Sequence, residues 1–276
     1  LCEKGADQIW KQCNDAMYAQ GVTWLEEAAY AGDAEAWFFL GHCYSWGDGA
    51  VGFNEKKAYE CYLRGASAGS ARAVLGALRA GQYDEQMKQS ARYSIEESYR
   101  QVRDAAEMGD VYAAWQMGEA VEWEDLADYM PQTESAREQC LFWYERAADG
   151  GIIPAMVKMG KCCQNGTYRE KDEKEALRWA NQCAASGEVW GLFQMGEHYR
   201  QEEDWEAAFQ YDYAAAKQGS SRAMLYLGQM YLNGQGTERD IQAAVQALEG
   251  AAARNEAESF EELGNLFYQD ELVERD

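Results

Sequence analysis

A recurrence constrains this chain more than any other feature. Seven times a pair of small residues is followed, three residues later, by a residue suited to ending a helix. The pairs are Ala28/Ala29, Gly65/Ala66, Ala105/Ala106, Ala147/Ala148, Cys183/Ala184, Ala215/Ala216 and Ala251/Ala252. The stops are Gly32, Gly69, Gly109, Gly151, Gly187, Gly219 and Asn255, so they fall 37, 40, 42, 36, 32 and 36 residues apart. A period of this length belongs to arrays of helix pairs, in which each unit buries its apolar face against its neighbours.

The remaining composition agrees. Two prolines occur (Pro131 and Pro154), β-branched residues are scarce, and Ala, Glu, Gln, Leu and Met dominate, which predicts a nearly all-helical chain. A chain of 276 residues that is 47% hydrophobic could form one or two compact domains. Repetition instead predicts one extended array over residues 1–268, with repeat ends near 32, 69, 109, 151, 187, 219 and 255. Residues 256–276 read as a C-terminal capping helix and an acidic tail. The opening Leu1-Cys2-Glu3-Lys4-Gly5 reads as the tail of a second helix, so the chain is expected to start inside a preceding repeat.

Charge narrows the partner. With Lys+Arg 25 against Asp+Glu 48, the net charge is −23. Nucleic acid, whose phosphates demand a basic footprint, is excluded on this ground, as is docking on anionic lipid. No apolar run approaches the roughly 18 residues of a membrane span. What remains is a solvated acidic surface, which favours a monomer, or a partner with a basic segment steered in by the field.

Within each repeat, a landmark lies nine residues after the stop. Gly41, Gly118, Gly160, Gly196, Gly228 and Gly264 occupy it, preceded by Leu40, Met117, Met159, Met195, Leu227 and Leu263. Glycine inside a helix costs about 1 kcal/mol against alanine, so this register predicts close approach of a second helix. Five residues earlier stands another small column: Ala36, Ala73, Ala113, Ala155, Gly191, Ala223 and Ser259. One repeat departs, with Leu78 in the glycine column, Ala77 before it, and Gly81 where Tyr44, Tyr199 and Tyr231 stand elsewhere. Swapped sizes of this kind preserve packed volume. The turn Asn233-Gly234-Gln235-Gly236 calls for positive φ at its glycines, and Asp240 is placed to cap the helix that follows.

These motifs resemble Sel1-like repeats, relatives of tetratricopeptide repeats. The carriers are Ala36, Leu40, Gly41 and Tyr44 with Gly47/Gly49, then Lys57, Ala58, Tyr62, Ala66 and Gly69. Ala223, Leu227, Gly228 and Tyr231 with Gly234/Gly236 repeat the first half, and Ala176, Trp179, Ala184 and Gly187 the second. The likeness covers about residues 22 to 268; the repeats ending at Gly109 and Gly219 lack the G-x-G turn. The resemblance implies an all-α, right-handed α/α superhelical solenoid of about seven helix-pair repeats. It also implies a non-enzymatic scaffold or adaptor that binds a partner protein or peptide.

The eight cysteines do not form a bridging pattern. Cys140 shares a column with Ala58, Ala176, Ala208 and Ala244, and Cys183 with Ala28 and Ala147, so they read as small reduced core residues of a cytoplasmic protein. Cys162, Cys163 and Cys183 lack metal-ligand spacing, and His42 and His198 lie on different repeats. No nucleophile elbow, phosphate loop or H-E-x-x-H stands in the chain, and no cofactor, metal or catalytic residue is expected. Two other readings stay open: a secreted or periplasmic disulfide-bridged module contacting host or cell-wall components, and a hydrolase.

First helices in such arrays line the concave face. Positions −6, −2, +1 and +5 from the landmark form one stripe, opposite the small and Leu/Met columns, and are expected to face solvent. The partner-binding residues expected there are Phe39, His42, Arg79, Tyr112, Gln116, Glu119, Lys158, Lys161, Trp190, Gln194, Glu197, Arg222, Tyr226 and Gln229. Aromatics, amides and charges of both signs are the mixture that interfaces use. Trp123–Ser135, with four acidic residues, is a second candidate for gripping a basic segment.

Overall fold

The structure, a computed structural model, describes residues 19–46, 52–122 and 136–268. Every regular element among them is helical, fifteen helices in all. Contacts divide the chain into two compact units, Leu1–Ile152 and Ile153–Asp276. The first holds α1 (19–30), α2 (Ala34–Trp46), α3 (Glu55–Ala68), α4 (Ala71–Arg79), α5 (Glu85–Ser90), α6 (Ile95–Glu107), α7 (Val111–Glu122) and α8 (Ala136–Asp149). The second holds α9 (Ile153–Asn165), α10 (Glu173–Ala185), α11 (Val189–Gln201), α12 (Trp205–Lys217), α13 (Ser221–Asn233), α14 (Ile241–Ala252) and α15 (Ala257–Tyr268).

The stops behave as the period requires. All seven, Asn255 included, adopt left-handed backbone, with φ between 62° and 106°. That conformation lets the chain end one helix and start the next within two residues. At Gly69, for example, the glycine amide donates to Ala66 O while Ser70 N–H donates to Gly65 O at 2.8 Å. The residue after the stop then caps the new helix. Asp33, Ser70, Asp110, Glu188 and Ser220 each accept the backbone N–H of the small column, at Ala36, Ala73, Ala113, Gly191 and Ala223. The same column is buried, so one register serves both capping and packing.

The landmark glycines are where paired helices meet. Seven residues before each stop, the second helix presents a side chain to the glycine of the first. A Cβ on Gly41 would stand 2.6 Å from the Tyr62 ring, on Gly118 2.6 Å from the Tyr144 ring, and on Gly228 2.6 Å from Leu248. In the next unit the second helix offers only Ala180 at this register, and Trp190 of the following first helix covers Gly160 instead. At Gly196 the facing group is Asp212. Gly264 of α15 differs: among the described residues a Cβ there would meet nothing within 4 Å. Close approach therefore accounts for five of the six landmark glycines.

The first helix of the departing repeat is shorter than its volume exchange suggested. Its first helix, α4, ends at Arg79, and Gly81 turns left-handed at φ 67°. Tyr62 lies over Gly76, two residues before the Leu78 register. An inserted turn of helix, α5, is capped by Asp84 and sends Met87 into the core beside Tyr62 and Val74. Pairing continues through it, with α4 packed on both α3 and α6.

The cysteines assigned to alanine positions are packed like alanine: Cys140 and Cys183 are both buried. The turn glycines Gly234 and Gly236 both have φ 67°, and Asp240 caps α14 by accepting Ala243 N–H at 3.0 Å. Gly47/Gly49, Leu1–Gly5, Trp123–Ser135 and the acidic tail lie outside the described residues.

The glycine account makes opposite predictions for two sites. Tyr144 is buried and its hydroxyl donates to Glu122 at 2.7 Å, so its ring cannot swing aside. Gly118→Ala should destabilise by about 1–3 kcal/mol, whereas Gly264→Ala should stabilise by up to about 1 kcal/mol through helix propensity. Chemical denaturation checks both; equal shifts would contradict the contact.

Candidate functional site

In the first unit the stripe ties one first helix to the next. Arg72 of α4 reaches Glu35 of α2 at 3.5 Å and also pairs with Asp110, just ahead of α7. Gln116 donates its side-chain N–H to Arg72 O at 3.0 Å, and Arg79 pairs with Glu119 at 3.0 Å. Phe39 meets the Tyr112 ring edge-on, centroids 5.5 Å apart, and His42 lies half-buried 6.2 Å from the Phe38 ring. Burial raises the Glu35 carboxyl above its ordinary value, against the pull of its hydrogen bond to Ser70 and of Arg72. The expectation of a solvent-facing stripe is thus corrected at Gln116, which is 6% exposed. A polar side chain pointing along the row of helices finds the next helix and not water. Tyr112, 51% exposed, keeps a free face.

In the second unit the stripe is more open. Lys161 and Arg222 are exposed, and Lys158, Gln194, Glu197, Tyr226 and Gln229 are half-buried. Gln194 accepts from Gln164 at 2.7 Å, and Gln229 donates to Glu262 Oε1 at 3.0 Å. Trp190 covers Gly160, so its ring is part of the packing of α9.

One group of residues escaped the sequence reading. Asp212, in the register that holds Tyr62, Tyr144 and Leu248, is 0% exposed. Its Oδ2 pairs with Arg200, while its Oδ1 has no hydrogen-bond partner among the described residues. The Arg200 guanidinium lies 3.7 Å over the Tyr226 ring, which itself stacks on Phe193. A carboxylate at a core register was the signal that could have revealed the group. Arg200, Trp205, Tyr226, Gln229, Asn233, Gln235 and Glu262, with Met230 and Leu232, line a pocket of about 430 Å³. Tyr226, Gln229 and Asn233 come from the stripe, Met230 and Leu232 from other positions of α13, and the rest from neighbouring turns and helices.

Burial pushes the Asp212 carboxyl up from 3.8 to about 6, although Arg200 pulls the other way. A raised carboxyl pKa means that the folded state holds its proton more tightly than the unfolded state. Stability from this group is therefore full below about pH 4 and is lost as pH rises towards 6. Compared with Asp212→Asn, the wild type should lose about 1–3 kcal/mol across that window. Parallel urea-denaturation curves for the two proteins from pH 4 to 7 would sink this assignment.

Cys61, Cys163 and Cys183 are free thiols. Burial raises Cys61 to about 11 and Cys183 to about 12, so neither presents a thiolate near neutral pH. Iodoacetamide at pH 8 should leave both unmodified in the native protein and alkylate both in denaturant, as read by peptide mass spectrometry. Fast native labelling of either would contradict the packing. Among the described residues no three His, Cys, Asp or Glu side chains gather as a metal-binding group, and no helix is long and apolar enough to cross a membrane.

The repeat geometry has counterparts among known proteins. The Sel1 repeat family model matches residues 16–33, 34–70, 111–152, 153–188 and 221–255, more than half of the chain, and the chain belongs to that family. Sel1 repeats commonly mediate protein–protein interaction and are generally non-catalytic. Four matched segments end one residue after a left-handed stop. The internal stretches left unmatched, 71–110 and 189–220, are two of the four repeats without the G-x-G turn; those ending at Gly151 and Gly187 lack it too.

A protective antigen of uropathogenic Escherichia coli is 22% identical, with all of this chain and 67% of that one aligned at a TM-score of 0.54, which shows the shared fold. A Sel1 repeat protein from Oxalobacter formigenes is 23% identical over 92% of this chain and 82% of its own, at a TM-score of 0.47. An uncharacterized protein of Neisseria meningitidis serogroup B is 28% identical over 174 residues, 62% of this chain. The chain spans about a third (34%) of that relative's length.

Proposed function

We propose that this chain is a non-enzymatic scaffold that binds a partner protein or peptide on the concave surface of its first helices. The pocket among Tyr226, Gln229, Asn233 and Glu262 carries the reading, because it opens where the stripe residues converge. It combines aromatic rings, amides and charge, the mixture from which interface anchors are drawn. Family membership supports the same class of activity. Lys158, Lys161, Arg222, Tyr226 and Gln229 form the contact surface in the second unit, and Tyr112 with His42 in the first. The free thiols of Cys61, Cys163 and Cys183 support a reducing, cytoplasmic setting. The high net charge supports a monomer.

Site-specific photocrosslinking tests the surface. A benzophenone amino acid at Lys161, Arg222 or Gln229 should yield discrete adducts in lysate of the source organism, competed away by excess unmodified protein. The same probe at Gln210 or Glu249, exposed on second helices, should yield none. Competable adducts confined to Gln210 and Glu249 would move the site to the opposite face.

A further inference from the structure

The charge on the first helices of the second unit runs against that of the chain. Helices α9, α11 and α13 carry Lys158, Lys161, Arg200 and Arg222 against a single carboxylate, Glu197, while the whole chain has a net charge of −23. Arg200 is answered by Asp212. The first unit shows how stripe cations are answered elsewhere. Arg72, six residues before the landmark register, pairs with Glu35 at that register of the preceding first helix and with Asp110, the residue after the next stop. Arg222 takes the place of Arg72, but the preceding helix offers Trp190, and the residue after the next stop, Glu256, accepts from Ser221 Oγ at 3.0 Å. Arg79, one residue beyond the landmark, pairs with Glu119 at that register of the next first helix. Lys161 and Glu197 repeat those two positions, yet Glu197 accepts from Gln194 at 3.5 Å instead. Lys161 and Arg222 are both exposed, and neither side chain has an ion pair or hydrogen bond among the described residues.

One indole connects these two cations. Trp190 covers Gly160, the residue before Lys161. With Phe193 it also walls a groove of about 450 Å³ that Ser221 and Arg222 close at the start of α13. Glu188 is the carboxylate lining this groove. It is turned into the N-terminus of α11, where it accepts Gly191 N–H at 3.0 Å and the positive end of the helix offsets its charge. At physiological salt a charge is screened beyond about 8 Å, so a ligand in the groove meets Lys161 and Arg222 and not the chain's distant carboxylates.

We infer that this groove holds an acidic segment of the partner, with carboxylates on Lys161 and Arg222 and an apolar side chain against Trp190 and Phe193. The inference rests on the scaffold reading above and specifies the chemistry of its partner. For this surface it reverses the basic segment that net charge alone suggests. A lysine- or arginine-rich segment seated here would bring like charges together and leave both cations without a counterion, which costs affinity.

The probe is the peptide acetyl-Glu-Glu-Phe-Glu-Glu-amide, titrated into the full chain at about 0.15 M salt and followed by the Trp190 indole N–H resonance. Control peptides carry glutamine or lysine in place of every glutamate. The acidic peptide should shift the resonance saturably. Lys161→Gln and Arg222→Gln, both at exposed positions, should keep the wild-type melting temperature and each weaken binding about tenfold. Lys174→Gln, which removes the same charge from an exposed position of α10, should leave affinity unchanged. No saturable shift, equal affinity for the glutamine or lysine peptide, full affinity in both groove variants, or equal weakening by Lys174→Gln would overturn the inference. Inorganic phosphate displacing the peptide at equal concentration would do the same, by assigning the cations to a free anion. Crosslinks at Gln229 do not depend on Lys161 or Arg222, so their persistence without peptide binding would remove this inference and leave the scaffold standing. Peptide binding with no competable crosslink at Lys161, Arg222 or Gln229 would remove the scaffold instead.

Discussion

The rest of this fold depends on how closely the first helix of each pair approaches the second. A glycine opens that approach, and one side chain, seven residues before the next left-handed stop, fills it. Tyr62, Tyr144 and Leu248 do so with apolar bulk. Interiors pack densely, so a change of this one side chain must be answered nearby. Where the second helix provides Ala180, Trp190 crosses from the next first helix to restore the volume over Gly160. A residue that belongs by register to the exposed stripe is thereby drawn into packing.

Asp212 answers the same contact with charge instead of volume. A buried carboxylate needs a counterion, and Arg200, one turn beyond Gly196 on α11, is the group that reaches it. A buried pair of this kind adds little net stability, and an apolar residue at the position would generally serve the core as well or better. What the pair does contribute is placement. It holds the guanidinium over the Tyr226 ring and so sets one wall of the pocket. The packing register and the surface chemistry are linked through two side chains.

The helices and their ends were legible in the sequence because each is written seven times. The stops, the small column and the Leu/Met column recur at fixed offsets, and a recurrence can be read without knowing what touches what. The stripe was harder, since amphipathic spacing shows which side of a helix a residue occupies but not what the neighbouring helix puts there. Gln116 stands at a position expected to meet water, yet it is closed off by the Arg72 carbonyl, 44 residues away in sequence. Arg200 lies at no stripe position, Trp205 opens α12 and Gln235 lies in a turn, so the pocket is assembled from unrelated registers. The inserted helix α5 was hidden for a different reason: a single left-handed Gly81 shortens α4, and size exchange at Leu78 gives no hint of it.

Both internal stretches that escape the family pattern, 71–110 and 189–220, carry local inventions: α5 with Met87 in the first, Arg200 with Asp212 in the second. Repeat arrays permit this because each unit's stability depends on itself and its nearest neighbours. A regular repeat on either side keeps the stops, caps and small columns in register while one unit changes its core contact. Ser220 still caps α13 and Ala223 is still fully buried immediately after the divergent stretch. A charged core contact is tolerated there without loss of the next helix. The unit that can least be recognised as a repeat is consequently the one free to shape a pocket, while its neighbours supply Tyr226, Gln229 and Glu262 from positions the period dictates.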